Sequence, residues 1–381
     1  MILEGMIKTL KSANPEAKIT VMSANPEETA KTHNVEAIYK FPAGIRSFFK
    51  FLFKHRSETK KALKNCDCFV LGGGGLFTNL TKRAYFIWAI QARKAIRYKK
   101  PVIMYGQSVG PVEGVIRKRI VKKLFNKAVF IAVRDEESKE ELKNLGVKGK
   151  INLIPDLIFC LDDEKIKEAK IPTGKEKKKN VIVSLRQLND IPPAFKRELT
   201  DFLNLLIEEK KCHIEFANFQ IPDDEILTAK IIEGIRRKEN VSILPEFKKA
   251  SEVLKVFAEA DFVLGMRLHS VLTAIKARTP FIAISYAPKV KNFLEYAKLK
   301  DFVVDIDIAD LKEKYDEFEA SELTKMRAHG ASAQRDEESG SASSEASELT
   351  KRTNRLENFN QRAQSRQKEI VKELRSFLQN L

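Results

Sequence analysis

The chain has 381 residues, 43% of them apolar and 32% charged, enough for two domains with a genuine core. Its net charge of +17 points to an anionic partner: a phosphorylated small molecule, a membrane surface or a nucleic acid. The basic runs are not interleaved with aromatic residues and show no zinc-finger or basic-zipper spacing, which argues against nucleic acid. Cys66, Cys68, Cys160 and Cys212 form neither a CxxC pair nor a disulfide frame, so a reducing cytoplasm is the expected compartment. No signal peptide is visible, and no apolar run reaches the roughly 18 residues of a membrane span.

Short apolar runs at 18–22 and 35–38 predict the first strands. Residues 45–56 place Ile45, Phe48, Phe49, Leu52 and Phe53 on one helical face among basic residues. That pattern suits either a helix packed on its own domain or one lying on an anionic membrane surface. A strand at 68–71 ends in the glycines 72–75, and a helix is expected over 84–96. Then come a strand at 102–105, a helix at 115–128, a strand at 129–133, and a helix at 136–145 closed by Gly146. Residues 162–180, lysine-rich with Pro172 and Gly174, are the expected linker. A second round follows, with strands at 181–184, 212–216, 241–244, 262–264 and 281–284. Such alternation predicts parallel sheets with helical crossovers. The expected architecture is α/β: two Rossmann-like domains, 1–161 and 181–310, facing a cleft in a GT-B-like arrangement.

Residues 311–381 read as a C-terminal helical tail. The heptapeptide at 319–325 recurs identically at 345–351, and the segment between is rich in Ser, Ala and Gly. A disordered insertion over about 326–351 is therefore expected. It interrupts a helix with apolar positions at Leu356, Phe359, Ala363, Ile370, Leu374, Phe377 and Leu378.

In open α/β sheets, ligands sit beyond the carboxyl ends of the strands, and the motifs of this chain fall there. Gly73, Gly74 and Gly75 match neither GxGxxG nor a P-loop. They suit a backbone cradle for a ligand, or a tight turn without one. Residues 106–110 match GxSxG, but Pro111 follows where a nucleophile elbow would enter a helix. The segment, with Gln107, is therefore read as a cleft-lining loop. Arg134 ends a strand. It can either pair with Asp135 or Glu136, or bind a carboxylate or phosphate bidentately, while Asp135 caps the helix toward Ser138. Arg267, His269 and Ser270 stand where a strand hands over to a helix. There, unpaired N–H groups and the dipole favour an anion. Lys289 follows the last strand toward the same cleft. No paired-histidine or HExxH spacing exists, so no metal is expected.

Taken together, the segments at 71–76, 107–111, 133–138, 183–186, 265–270 and 285–290 resemble the polysaccharide pyruvyl transferase family, near its CsaB-like branch. They occur in that family's order over about residues 1–310. The resemblance implies a GT-B-like fold and transfer of a pyruvyl group from phosphoenolpyruvate to a sugar of a cell-wall or exopolysaccharide glycan, forming a cyclic ketal. It needs no cofactor beyond that donor. It also implies that His269 and Arg267 carry the catalysis. Arg134, Arg267, His269, Ser270 and Lys289 would hold phosphoenolpyruvate, and Gly73, Gly74, Gly75, Gln107 and Arg186 would lie on cleft loops. The acceptor would be a free or lipid-linked glycan; peripheral contact with the inner face of the cell membrane is expected only on the membrane-surface reading of residues 45–56.

Two features depart from the family. Its N-terminal strand leads into an Asn-x-Gly-Asp-Glu loop serving the acceptor. Residues 1–6 resemble the helix just after that loop, so a central strand and its carboxylate are expected to be absent, which puts the activity of the chain as written in question. Ala287 stands where the family often has Asp. Two competing readings are a GT-B glycosyltransferase using a nucleotide sugar, and a non-catalytic relative that binds glycan or membrane. The oligomeric state is not legible in the sequence.

Overall fold

The computed structural model describes residues 1–41, 56–78, 82–162, 164, 166, 178–320 and 342–379, without the side chains of 56, 82–84, 288–289 and 342–353. The amphipathic segment 45–55 and most of the linker 162–180 lie outside the described residues. The chain forms two compact units, Met1–Leu161 with Ala363–Leu381, and Asp162–Arg362.

The first unit opens with helix α1 (Ile2–Ala13), strand β1 (Thr20–Ser23), α2 (Pro26–His33), β2 (Glu36–Tyr39) and α3 (Arg56–Asn65). β1 and β2 pair in parallel with each other. A four-stranded parallel sheet follows, in the order β3 (Phe69–Phe77), β4 (Val102–Val109), β5 (Phe130–Val133), β6 (Ile151–Leu153). Its crossovers are α4 (Lys82–Arg97), α5 (Val115–Phe125) and α6 (Glu136–Asn144). Alternation along β4 divides the core between two faces. Val102 and Met104 join Ala89, Ala92, Leu124 and Leu142 of the crossover helices, while Ile103 and Tyr105 join Met6 of α1 and Ile370 and Leu374 near the C-terminus.

β3 continues through the glycines to Phe77, where the sequence suggested a strand ending at Leu71. Glycine is what permits this. A Cβ on Gly72 would lie 1.7 Å from the Tyr105 carbonyl oxygen. Gly73 has φ +80°, and a Cβ there would meet Ile2 at 2.2 Å. Removing the side chains lets α1 lie directly on the strand. β4 likewise extends to Val109, so Gln107 and Ser108 are strand residues and not a loop.

The second unit is a six-stranded parallel sheet in the order β12-β11-β10-β7-β8-β9. The strands are β7 (Asn180–Ser184), β8 (His213–Phe216), β9 (Val241–Ile243), β10 (Phe262–Gly265), β11 (Phe281–Ser285) and β12 (Val303–Asp305). The helices between them are α7 (Pro193–Glu208), α8 (Asp223–Glu233), α9 (Ala250–Glu259), α10 (Leu268–Ala277) and α11 (Pro288–Tyr296). β7, β10 and β11 are buried along their whole length, as expected of parallel strands covered on both faces.

The final helix, α12 (Ala342–Gln379), contains the second copy of the repeated heptapeptide, so the expected disordered excursion does not extend to 351. Ala, Glu, Leu and Lys are strong helix formers, which accounts for the earlier start. Nor is the tail a separate element. Leu356 and Phe359 are buried in the second unit, and Ala363, Ile370 and Leu374 in the first. Asn360 donates to the Ile275 carbonyl at 2.6 Å, while Gln367 donates to Thr9 and Tyr105, each at 3.2 Å.

Candidate active site

In the second unit the chain winds from β7 outward to β8 and β9, then returns to β10 and winds the other way to β11 and β12. The junction of β7 and β10 is therefore the topological switch point, where α/β sheets bind ligands at the carboxyl ends of their strands. Two bonds close that junction. Met266 N–H donates to the Ser184 carbonyl at 2.7 Å, and Arg186 N–H to Met266 Sδ at 3.3 Å. Arg186 thus leaves β7 beside Arg267, which leaves β10.

Arg267 is the N-cap residue of α10, and its side chain is mostly buried. Its guanidinium is ion-paired with Asp224 and donates to Gln220 Oε1 at 3.1 Å. Asp224 is fully buried and also accepts from the backbone N–H groups of Phe219 (3.1 Å) and Gln220 (2.9 Å). Donors on three sides hold this carboxylate in place, and it in turn fixes one branch of the arginine fork. Arg267 Nε is buried and bonds to nothing among the described residues. His269 is the second residue of α10, and its Nε2 is buried.

Ser270 turns inward, and its expected contact with phosphoenolpyruvate stays a proposal. It is fully buried and its hydroxyl donates to the Arg267 carbonyl at 2.7 Å. The same carbonyl accepts the N–H groups of Ser270 (3.0 Å) and Val271 (3.2 Å), so the hydrogen-bond ladder of α10 begins at Arg267.

Arg186 Nη1 donates to the Tyr286 hydroxyl at 2.5 Å, and its guanidinium stacks 4.8 Å from that ring. A planar cation held on an aromatic face keeps its charge while losing rotamer freedom. Around the same strand ends, Ser184 Oγ, Gln187 Oε1 and Asn218 Nδ2 are buried without a hydrogen-bond partner among the described residues. Native proteins rarely leave such groups unmatched, and a polar ligand would supply their partners. Lys289 lies in the first turn of α11, after β11, and its side chain is outside the described residues.

The remaining expected site residues stand in the first unit. Arg134 Nη1 pairs with Asp156 at 2.6 Å and Nε donates to Ser108 Oγ at 2.7 Å, with Asp135 at 3.8 Å. Ser108 donates to Asp135, which also caps α6 by accepting from Ser138 N–H at 2.9 Å. Arg134 is thus ion-paired inside a buried network, and its expected hold on the donor's anion stays a proposal. Ser108 is a member of that network and not a nucleophile at a turn. Gln107 is fully buried in β4, with both amide atoms unpartnered among the described residues. Gly73, Gly74 and Gly75 lie within β3, and their part in ligand binding stays a proposal.

Sequence reasoning missed Asp224, Gln220, Asn218 and Tyr286 as site residues. Asp224 sits in an acidic helix start that reads as an N-terminal cap, 43 positions from the arginine it pairs with. Its contribution is measurable. Asp224→Ala strips an acceptor from two backbone N–H groups and a counter-charge from Arg267. It is expected to lower stability by about 3 kcal/mol, read from the shift in denaturant midpoint. A change under about 0.5 kcal/mol would remove Asp224 from the site's support.

The polysaccharide pyruvyl transferase model matches residues 1–288. The chain belongs to that family. The family is one of transferases in polysaccharide biosynthesis, and a curated relative fits it. The amylovoran biosynthesis protein AmsJ of Erwinia amylovora is 22% identical over 356 residues, covering 80% of this chain and 84% of that protein. Among solved structures, Anabaena Alr3699/HepE in complex with UDP and glucose is 11% identical with a TM-score of 0.55, over 99% of this chain and 95% of that one. The UDP-GlcNAc 2-epimerase of Methanocaldococcus jannaschii is 11% identical with a TM-score of 0.58, over 82% and 89%. At such identities the likeness speaks to the fold alone, and it is the GT-B type expected from the sequence.

Proposed function

We propose that this protein transfers a pyruvyl group from phosphoenolpyruvate to two hydroxyls of a glycan sugar, forming a cyclic ketal. The observation that carries the reading is the cluster at the β7–β10 switch point. It combines Arg267 held by Asp224, Arg186 held by Tyr286, His269 at a helix start, and buried polar atoms awaiting partners. Family membership agrees with it.

The chemistry follows from the donor. Phosphoenolpyruvate is an enol phosphate that carries several negative charges. Protonating its methylene carbon makes the adjacent carbon an oxocarbenium-like centre, which a sugar hydroxyl attacks. The C–O bond to phosphate breaks, and a second hydroxyl closes the ring. Of the two hydroxyl protons released, one balances the proton delivered to carbon and the other leaves with phosphate. His269 is the proposed proton donor, an imidazole being suited to exchange protons near neutral pH. Arg267 and the first N–H groups of α10 stabilise the departing phosphate, and Lys289 adds charge on the donor.

Thermal-shift titration tests the donor directly. Phosphoenolpyruvate is expected to raise the melting temperature, reaching about 2.7 kcal/mol of stabilisation at 100 times its dissociation constant. UDP-glucose and UDP-GlcNAc are expected to leave it unchanged. Mass spectrometry of the acceptor then shows a gain of one pyruvic acid less one water. Stabilisation by the nucleotide sugars with none by phosphoenolpyruvate would replace this reading with glycosyl transfer.

A further inference from the structure

The most unusual surface of the first unit, among the described residues, is on α4 and α5. The two helices are tied side by side. Tyr85 of α4 donates its hydroxyl to the Arg117 carbonyl at 2.6 Å, and the Arg117 guanidinium lies 5.9 Å from the same ring. Each helix carries five basic residues and no acidic one. Four of the nine large apolar side chains most exposed among the described residues stand here: Phe86 and Ile90 on α4, Val115 and Ile116 on α5.

Their placement is systematic. On α4, Phe86, Ile90, Arg93 and Arg97 follow i, i+4, i+7, i+11, a single exposed stripe, while Tyr85, Ala89, Ala92 and Ala95 bury the opposite face. On α5 the exposed Lys118, Arg119, Lys122 and Lys123 continue from Val115 and Ile116, with Val121, Leu124 and Phe125 inward. In both helices the exposed apolar residues precede the exposed cations, which extend toward the C-terminus. α4 follows β3 and α5 follows β4, so both N-termini lie at the carboxyl end of the sheet.

We propose that the joint face of α4 and α5 seats this protein on an anionic lipid bilayer. Phe86, Ile90, Val115 and Ile116 dip below the headgroups and the surrounding cations meet lipid phosphates. Charge complementarity selects this occupant. A second copy docking isologously would set the same lysine- and arginine-rich helices, neither of which carries an acidic residue, against themselves. A nucleic acid would satisfy the cations but offer the four apolar side chains only a polar backbone. An anionic bilayer satisfies both, and apolar immersion with basic flanks is the pattern of interfacial helices. Among the described residues, no helix is long and apolar enough to cross a membrane, so the association is one of the surface. The proposal is independent of the transfer reaction.

The test uses the full chain, with vesicles of phosphatidylcholine alone or mixed with phosphatidylglycerol, read by flotation. Binding is expected to the mixed vesicles only, and to weaken as salt rises. The double variant Phe86→Ser, Ile116→Ser is expected to lose about tenfold or more in partitioning. Lys118→Glu with Lys122→Glu is expected to abolish binding. Both variants should keep the parent melting temperature, since every substituted side chain is exposed. Undiminished vesicle binding by the two double variants overturns the proposal. So does duplex DNA that competes fully while the serine variant binds vesicles like the parent. A change of oligomeric mass in the serine variant, with vesicle binding intact, overturns it in favour of a dimer surface.

Discussion

Replacing His269 by Ala is expected to reduce phosphate release from phosphoenolpyruvate, in the presence of acceptor, by about 100- to 10,000-fold, the usual yield of a positioned acid or base. The loss should fall on kcat. His269 sits at a helix start whose backbone is set by α10, and Thr273 Oγ1 donates to its carbonyl at 2.6 Å, so truncating the ring leaves the turn in place. Stabilisation by phosphoenolpyruvate should therefore persist in His269→Ala while turnover collapses. Arg267→Lys should show the complementary pattern. A lysine keeps the charge opposite Asp224 but loses the planar fork, so KM should rise more than kcat falls. Near-normal turnover in both variants would dismiss the site, and a lost thermal response in His269→Ala would reassign that residue from proton transfer to binding.

Arg134→Ala is expected to cost about 3–5 kcal/mol of stability. The guanidinium and the Asp156 carboxylate are both nearly inaccessible to solvent, and removing the cation takes away the arginine that this buried carboxylate pairs with at 2.6 Å. In a unit of this size the loss corresponds to a fall of roughly 6–20 °C in melting temperature. Protein that remains folded should still be stabilised by phosphoenolpyruvate. A variant with the parent's melting temperature and no response to phosphoenolpyruvate would restore Arg134 to donor binding.

These two arginines show where a sequence stops being informative. Both end strands, both precede a helix, and in the sequence both look ready for an anion. The structure separates them. Arg134 faces Asp156, which lies just past the short strand β6, and β6 pairs with β5 and so brings that carboxylate alongside. Arg267 is also paired, with Asp224, yet its Nε remains buried and unmatched among the described residues, beside other unmatched polar atoms. The difference lies in what the neighbouring strand end delivers, and that depends on strand order.

The alternation of apolar runs and amphipathic segments was enough to place ten of the twelve described strands and the crossover helices of the first unit's four-stranded sheet. The Gly146 closure and the Asp135 cap were equally legible. These features obey short-range rules: pleat and helix periods, orphan N–H groups at a helix start, and the freedom of glycine all act within a few residues. β6 and β12 were missed, although β9, equally short, was placed; runs of three residues carry too little pattern to be read consistently. β3 was cut short at its glycines, because glycine signals a break unless a helix is known to lie on it. The family, the two α/β units and the Arg267–His269 turn were thus encoded locally. Which charges are neutralised, which hydroxyls turn inward as Ser270 does, and which carboxylate steadies Arg267 were set by packing. Such partners are tens of residues apart in the chain and become neighbours only when the sheets assemble.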